Sequence, residues 1–148
     1  MVWKPHVTVA ALAAQAGRYL LVEEEVAGRL VLNQPAGHLE PGESLFEAVV
    51  RETREETGRD FSPHALVGIY RWTNPESKET FLRVCFAGEV SEPVPGRGLD
   101  PEIRKTLWLH PDALREAPEH LRSPMVLRTI DDHRTGARFP LELLHELD

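Results

Sequence analysis

Three glutamates, Glu52, Glu55 and Glu56, fall at i, i+3 and i+4 within Arg51-Glu52-Thr53-Arg54-Glu55-Glu56-Thr57-Gly58, and no other feature constrains this chain so tightly. On a helix that spacing gathers three carboxylates on one face. Like charges so placed repel, and burying an unpaired carboxylate is unfavourable. A hard multivalent cation among them removes the conflict. Mg²⁺, which accepts a few carboxylates while keeping waters and substrate phosphates, suits such a site best, with Mn²⁺ as the substitute.

At about 100° per residue, Leu45, Val49, Glu52 and Glu56 form one narrow stripe, with Ala48 and Glu55 beside it. The stripe starts apolar, as a core-facing stripe should, and turns acidic in its last two turns. A second stripe, Phe46, Val50, Thr53 and Thr57, predicts packing on a second side. Ser44-Leu45-Phe46-Glu47 has capping-box spacing at the start, and Gly58 stands where a left-handed C-terminal cap is expected.

A lone Glu-x-x-Glu-Glu is ordinarily a solvated helix face. Here it belongs to a longer pattern with Gly37 and Glu43 upstream, and seven positions (Gly37, Glu43, Arg51, Glu52, Glu55, Glu56, Gly58) match at once. Chance would supply that in on the order of one in 10⁵ chains of this length. The segment resembles the Nudix box: Gly, five residues, Glu, seven residues, then Arg-Glu-U-x-Glu-Glu-x-Gly-U, with U a bulky aliphatic. Thr53 and Arg59 depart at the two U positions. Thr53 lies on the packing stripe and Arg59 is expected to face solvent, so neither departure touches the carboxylates.

The resemblance implies an α/β (α+β) Nudix fold, a mixed β-sheet sandwiched between α-helices, and hydrolysis of a small-molecule diphosphate. It implies Glu52, Glu55 and Glu56 as metal ligands, a metal-binding backbone carbonyl at Gly37, and Glu43 and Arg51 bracing loop against helix. Metal neutralises the diphosphate and orients a water whose proton a carboxylate takes. Glu55 or Glu56 is the first candidate base. Glu102, just before the Trp108-Leu109 strand, is the second, in the place where many relatives supply an acid from a loop.

The remainder is consistent with a small intracellular enzyme. With 148 residues, 41% hydrophobic and 28% charged, the chain suffices for one domain spanning 1–148. A net charge of −7 disfavours nonspecific binding to nucleic acid or anionic lipid. One cysteine, Cys85, in an apolar run, reads as a buried thiol suited to a cytoplasmic setting. Neither a signal peptide nor a membrane-spanning run is evident, and the oligomeric state is open between monomer and homodimer. The seven histidines include no pair at zinc-ligand spacing, and no Walker or dinucleotide-binding glycine pattern occurs.

Strands are predicted at Val7 to Leu12, Tyr19 to Val22, Leu30 to Leu32, Leu66 to Trp72, Thr80 to Val90 and Ile103 to Leu109, with a hairpin across Asn74-Pro75-Glu76-Ser77. Pro111 to Leu114 predicts a short helix. Ser123-Pro124, as cap and first residue, predicts another running to about His133.

Beyond the box, Lys4 to Ala10, Asn33 to Glu40, Leu121 to Pro124 and Pro140 to Glu142 resemble the NudJ phosphatase branch of the family. That implies phosphate release from nucleoside tri- and diphosphates and thiamine-related diphosphates, including the hydroxymethylpyrimidine precursor. Leu32 departs from it, an aromatic residue being familiar there. Arg83, a cation within an apolar strand, is a candidate phosphate contact, weighed against an arginine on a wet strand face. Trp72 and Phe81 are candidates to stack on a ring, weighed against a core role. His6 and Gln34 are candidate substrate contacts beside the strand ends. Two readings stand beside the favoured one: cleavage of ADP-ribose or another nucleoside diphosphate derivative, and a nucleotide-sensing module without turnover. The intact carboxylate set argues against the sensor.

Overall fold

The period-2 alternation of the first strand decides the layering. In β1 (His6–Leu12), Val9 and Ala11 turn to one side and Ala10 and Leu12 to the other. β7 (Thr80–Val90) repeats this, with Val84 and Phe86 opposed to Cys85 and Ala87. All eight side chains are buried, so this sheet is covered on both faces. A computed structural model describes residues 1–148. β1 runs parallel to β7; β5 (Ala36–His38) and β6 (Phe61–Thr73) add antiparallel edges, in the order β5-β1-β7-β6.

A second antiparallel sheet is built on β3 (Arg18–Val26), which pairs with β2 (Ala14–Gln15), β4 (Arg29–Asn33) and β8 (Ile103–Leu109). Helix α1 (Leu45–Thr57) covers the Val9, Ala11, Val84 and Phe86 face through Ala48 and Val49. On the other face, α3 (Met125–Arg134) contributes Val126 and Ile130, and α2 (Pro111–Glu116) contributes Leu114, against Leu12, Tyr19, Leu21 and Cys85. The expected mixed sheet between helices is present, together with this second sheet. No helix is long and apolar enough to cross a membrane.

The caps of α1 form as read. Ser44 Oγ accepts from the Glu47 N–H at 3.0 Å, Glu47 Oε1 accepts from the Ser44 N–H at 2.9 Å, and Gly58 adopts φ 71°. For α3, Ser123 Oγ accepts from the Met125 N–H at 3.1 Å, so serine caps across Pro124.

Three expectations are corrected. Phe46 is 44% exposed, so the second stripe of α1 is buried only at Thr53 and Thr57 and in part at Val50. Thr53 and Thr57 turn their hydroxyls inward to donate to Val49 O and Thr53 O, which lets polar side chains occupy a helix flank. Arg59 does not face solvent freely: it is half-buried, its guanidinium lies 5.4 Å from the Trp108 ring centroid, and it donates to Ser91 O at 3.0 Å. β6 begins at Phe61 rather than Leu66, accommodating Pro63 because it is an edge strand with a register shift between Pro63 and Ala65.

Candidate active site

The acidic half of α1 lies along a cavity of about 680 Å³. Glu52 and Glu56 are buried, at 8% and 4% exposure, and Glu55 is half-buried. Arg51 organises this end. Its Nε and Nη2 clamp both oxygens of Glu43 at 2.9 and 2.7 Å, Nη1 donates to Glu52 and Glu55 at 2.8 and 3.2 Å, and Nη2 also reaches His38 O at 3.0 Å. Glu43 in turn accepts from the Glu40 N–H at 2.8 Å. One guanidinium thus ties β5, the loop after it and the helix together. This contact raises the Arg51 pKa and holds Glu43 below the usual carboxylate range.

Burial acts the other way on the helix carboxylates. It pushes Glu52 up to about 7 against the opposing pull of Arg51. It pushes Glu56 up to about 9, opposed by the Ala36 N–H, which donates to Glu56 Oε1 at 2.9 Å. The two buried acids thus want positive charge: Arg51 supplies it to Glu52, whereas Glu56 has no ion-pair partner and only the more distant Arg83 acts on it.

Oxygens of Glu52, Glu55 and Asp100 lie within 4.8 Å of one another. Asp100 is raised by burial and by its neighbours Glu102 and Glu55. Sequence reasoning singled out Glu102 in this loop. Glu102 is exposed at the cavity wall, and Asp100 joins the cluster instead. Asp100 is drawn in because its backbone N–H donates to Glu55 O at 3.0 Å, while Val94 N–H and Arg97 Nη1 bind Gly58 O and strap the loop to the helix end. The Gly-rich loop carried no local signal of that docking. Glu56 lines the same cavity outside the three-oxygen group. Gly37, on β5, faces the Glu52 carboxylate so closely that any side chain there would collide with it.

The opposite wall comes from the sheets. Arg83 is 4% exposed and on the inner face, so the wet-face alternative falls; burial lowers its pKa, and its Nη2 donates to Asn33 Oδ1 at 2.9 Å. Trp72 and Phe81 are half-buried cavity-wall residues, cross-strand partners with rings 6.1 Å apart and 24° from parallel. His6 sits outside the lining, stacked on Phe81 at 5.0 Å and bonded to Glu79 at 2.7 Å and His38 at 3.2 Å. Gln34 is removed from the cavity altogether. It is fully buried, and its amide donates to Val126 O and Thr129 Oγ1 on α3, which makes it a core tie and corrects its candidacy as a substrate contact. Glu24, buried at 6% in a run of three glutamates, also lines the cavity, and sequence reasoning missed it. Alternation could have pointed to it, but the register shift between Glu23 and Glu24 blurs the period.

A family model described as NUDIX domain matches residues 3–129. The chain is 39% identical over 146 residues to the protein named phosphatase NudJ of Escherichia coli strain K12, covering 99% of this chain and 94% of that one, with the same figures for that of Shigella flexneri. Among solved structures, a NUDIX hydrolase from Nitrosomonas europaea is 46% identical with a TM-score of 0.94, covering 97% of this chain and 98% of that one. The NUDIX domain of Shewanella oneidensis NrtR, complexed with ADP ribose, is 15% identical with a TM-score of 0.67 over 90% of this chain and 89% of that one, a likeness of fold alone.

Proposed function

The chain belongs to the Nudix hydrolase family, which makes it a hydrolase of phosphoanhydride bonds, and from that premise we propose a Mg²⁺-dependent enzyme that releases phosphate from nucleoside 5′-tri- and diphosphates. Thiamine-related diphosphates, such as hydroxymethylpyrimidine diphosphate, complete the proposed substrate range. The relatives named phosphatase NudJ support release of phosphate over cleavage of a longer nucleoside diphosphate derivative.

One observation carries the reading: the close oxygen group of Glu52, Glu55 and Asp100, with buried Glu56 beside it on the same helix. The donor set is all carboxylate oxygen, without nitrogen or sulfur, which fits a hard divalent cation. Glu52, Glu55, Glu56 and the Gly37 carbonyl are the proposed ligands, with Asp100 added from the loop. A bound divalent cation would supply charge neutralisation for the diphosphate and acidify a water. Glu55 or Glu56 would accept the proton of the attacking water, with Glu102 as the alternative base at the wall. Arg51 keeps Glu52 and Glu55 aimed by holding them from behind. Arg83, first a candidate phosphate contact, shares its wall with the paired rings of Trp72 and Phe81 and is assigned with them to the part of the substrate beyond the diphosphate.

Phosphate release measured over a panel of nucleotide and thiamine-type diphosphates, with Mg²⁺ and with chelator, tests this reading. Metal-dependent release is expected, and Glu56→Gln should lower kcat about a hundredfold or more with the fold intact by circular dichroism. No release at saturating metal across the panel would refute the activity. Near-native turnover of Glu56→Gln would reassign the carboxylates.

A further inference from the structure

Glu24 presents a carboxylate where a cavity for polyanions should least tolerate one. It is one of three consecutive glutamates on β3, and the only one of them that is buried. Its Oε1 accepts from Arg122 Nη1 at 3.0 Å and from Asn33 Nδ2 at 3.4 Å. Asn33 turns its other end, Oδ1, to Arg83. The result is a fixed row, Arg122–Glu24–Asn33–Arg83, alternating donor and acceptor along the cavity wall.

Two parts of that row are unspent. Glu24 Oε2 has no partner, nor do Nε and Nη1 of Arg83. The fully occluded side-chain atoms lacking a partner are Gln34 Oε1 and Arg59 Nε alone, so Glu24 Oε2 and the free Arg83 nitrogens keep a little exposure, and both residues line the cavity. Arg83 forms no ion pair, because Asn33 stands between it and Glu24. Next to Arg83 on the same face of β7 comes Phe81, with Trp72 across from it, two nearly parallel rings forming a flat wall. A carboxylate acceptor, a guanidinium donor and an aromatic wall together complement a flat heterocycle with a donor and an acceptor on one edge. Stabilising Arg122 does not account for Glu24, because Arg122 is exposed and water suffices for it.

We propose that Glu24 is a specificity-determining residue whose free oxygen accepts a hydrogen bond from an exocyclic amino group of the substrate's ring. This rests on the hydrolase reading and narrows it to diphosphates of amino-substituted heteroaromatics. Arg83 faces an acceptor on the same edge, such as a ring nitrogen or carbonyl. A substrate lacking the amino group would leave Glu24 Oε2 desolvated without a donor, which is the source of the discrimination.

The test compares substrates differing only in that group. ADP is set against purine riboside 5′-diphosphate and CDP against pyrimidin-2-one riboside 5′-diphosphate, with methyl diphosphate as the ringless control. Each is read as kcat/KM and as equilibrium Kd. The native protein should favour the amino member of each pair by at least about tenfold. In Glu24→Gln, Arg122 and Asn33 would hold the amide oxygen and leave its NH₂ at the open position, so the ratio between the members of each pair should collapse toward one, whatever common change the loss of charge brings to all diphosphates, which methyl diphosphate reads. Equal handling of the two members by the native protein overturns the proposal, and this comparison decides even if the variant fails to fold. A variant that weakens both members and methyl diphosphate equally also overturns it, assigning Glu24 to scaffolding. Absence of turnover with every substrate would instead refute the hydrolase reading, and the Kd ratios would still decide the role of Glu24.

Discussion

Gly37 shows how one missing methyl group can hold a site together. Its backbone sits in β5 opposite Val9, and a Cβ added there would fall well inside van der Waals contact of the Glu52 carboxylate carbon and both oxygens. The demand is for space and not for a left-handed backbone, since Gly37 is absent from the positive-φ glycines. The clash would move Glu52 off Arg51, and displacements of that order cost about a hundredfold in rate. Gly37→Ala is therefore expected to lose about a hundredfold in kcat, with metal affinity by calorimetry falling in parallel and the unfolding midpoint shifting little. Retention of native metal affinity in that variant would show that Glu52 is not a ligand. At this scale the sequence was informative wherever spacing alone sets position, as for Glu52, Glu55 and Glu56 on the cavity side of α1 and for Arg51 against Glu43. It was silent on Asp100 and Glu24, whose positions depend on a loop strapped to a helix end and on a register shift.

Among the elements, α1 was the most legible because its determinants are local: a capping box, an apolar stripe and a terminal glycine. Its two halves do different work. The first turns dock on the sheet through Ala48 and Val49, while the last two turns carry the carboxylates. Ser44→Ala removes the oxygen that receives the Glu47 N–H, a change worth about 1 kcal/mol of stability. Denaturant unfolding should show a lower midpoint at unchanged m-value, with kcat within about twofold of native because Arg51 still holds the far end. A large loss of kcat would mean that the cap, and not Arg51, registers the acidic turns. The strands were less legible. β5 has three residues, too few for a period, and Pro63 masks the start of β6, although an edge position tolerates it. Gln34 misled for a related reason: sequence proximity to Gly37 suggested the site, but the chain turns its side chain under α3.

For the whole molecule, opposed protonation equilibria link stability, pH and metal. His133 accepts or shares a hydrogen bond with Tyr19 at 2.6 Å between α3 and β3, and burial, with Arg138 assisting, depresses its pKa from 6.5 to about 4. The unfolded chain thus binds more protons at His133 between about 4 and 6.5, and stability from this group is lost as pH falls through that window. Glu52 and Glu56 have the reverse sign. Their folded values, about 7 and about 9, lie above the 4.5 of the unfolded chain, so in metal-free protein the folded state holds more protons and stability declines as pH rises toward 9. Above pH 6.5, where His133 no longer contributes a slope, only the carboxylate effect is left of these three. A divalent cation that binds the ionised carboxylates opposes that decline and must displace the protons to do so. The gain in melting temperature from saturating Mg²⁺ is therefore expected to grow between pH 6.5 and 9, with proton release detectable by calorimetry in buffers of different ionisation enthalpy. Glu56→Gln should flatten both trends, since the amide neither titrates nor carries the charge that the cation offsets. A metal-induced gain that is constant across this range in native protein would separate the buried acids from the metal site.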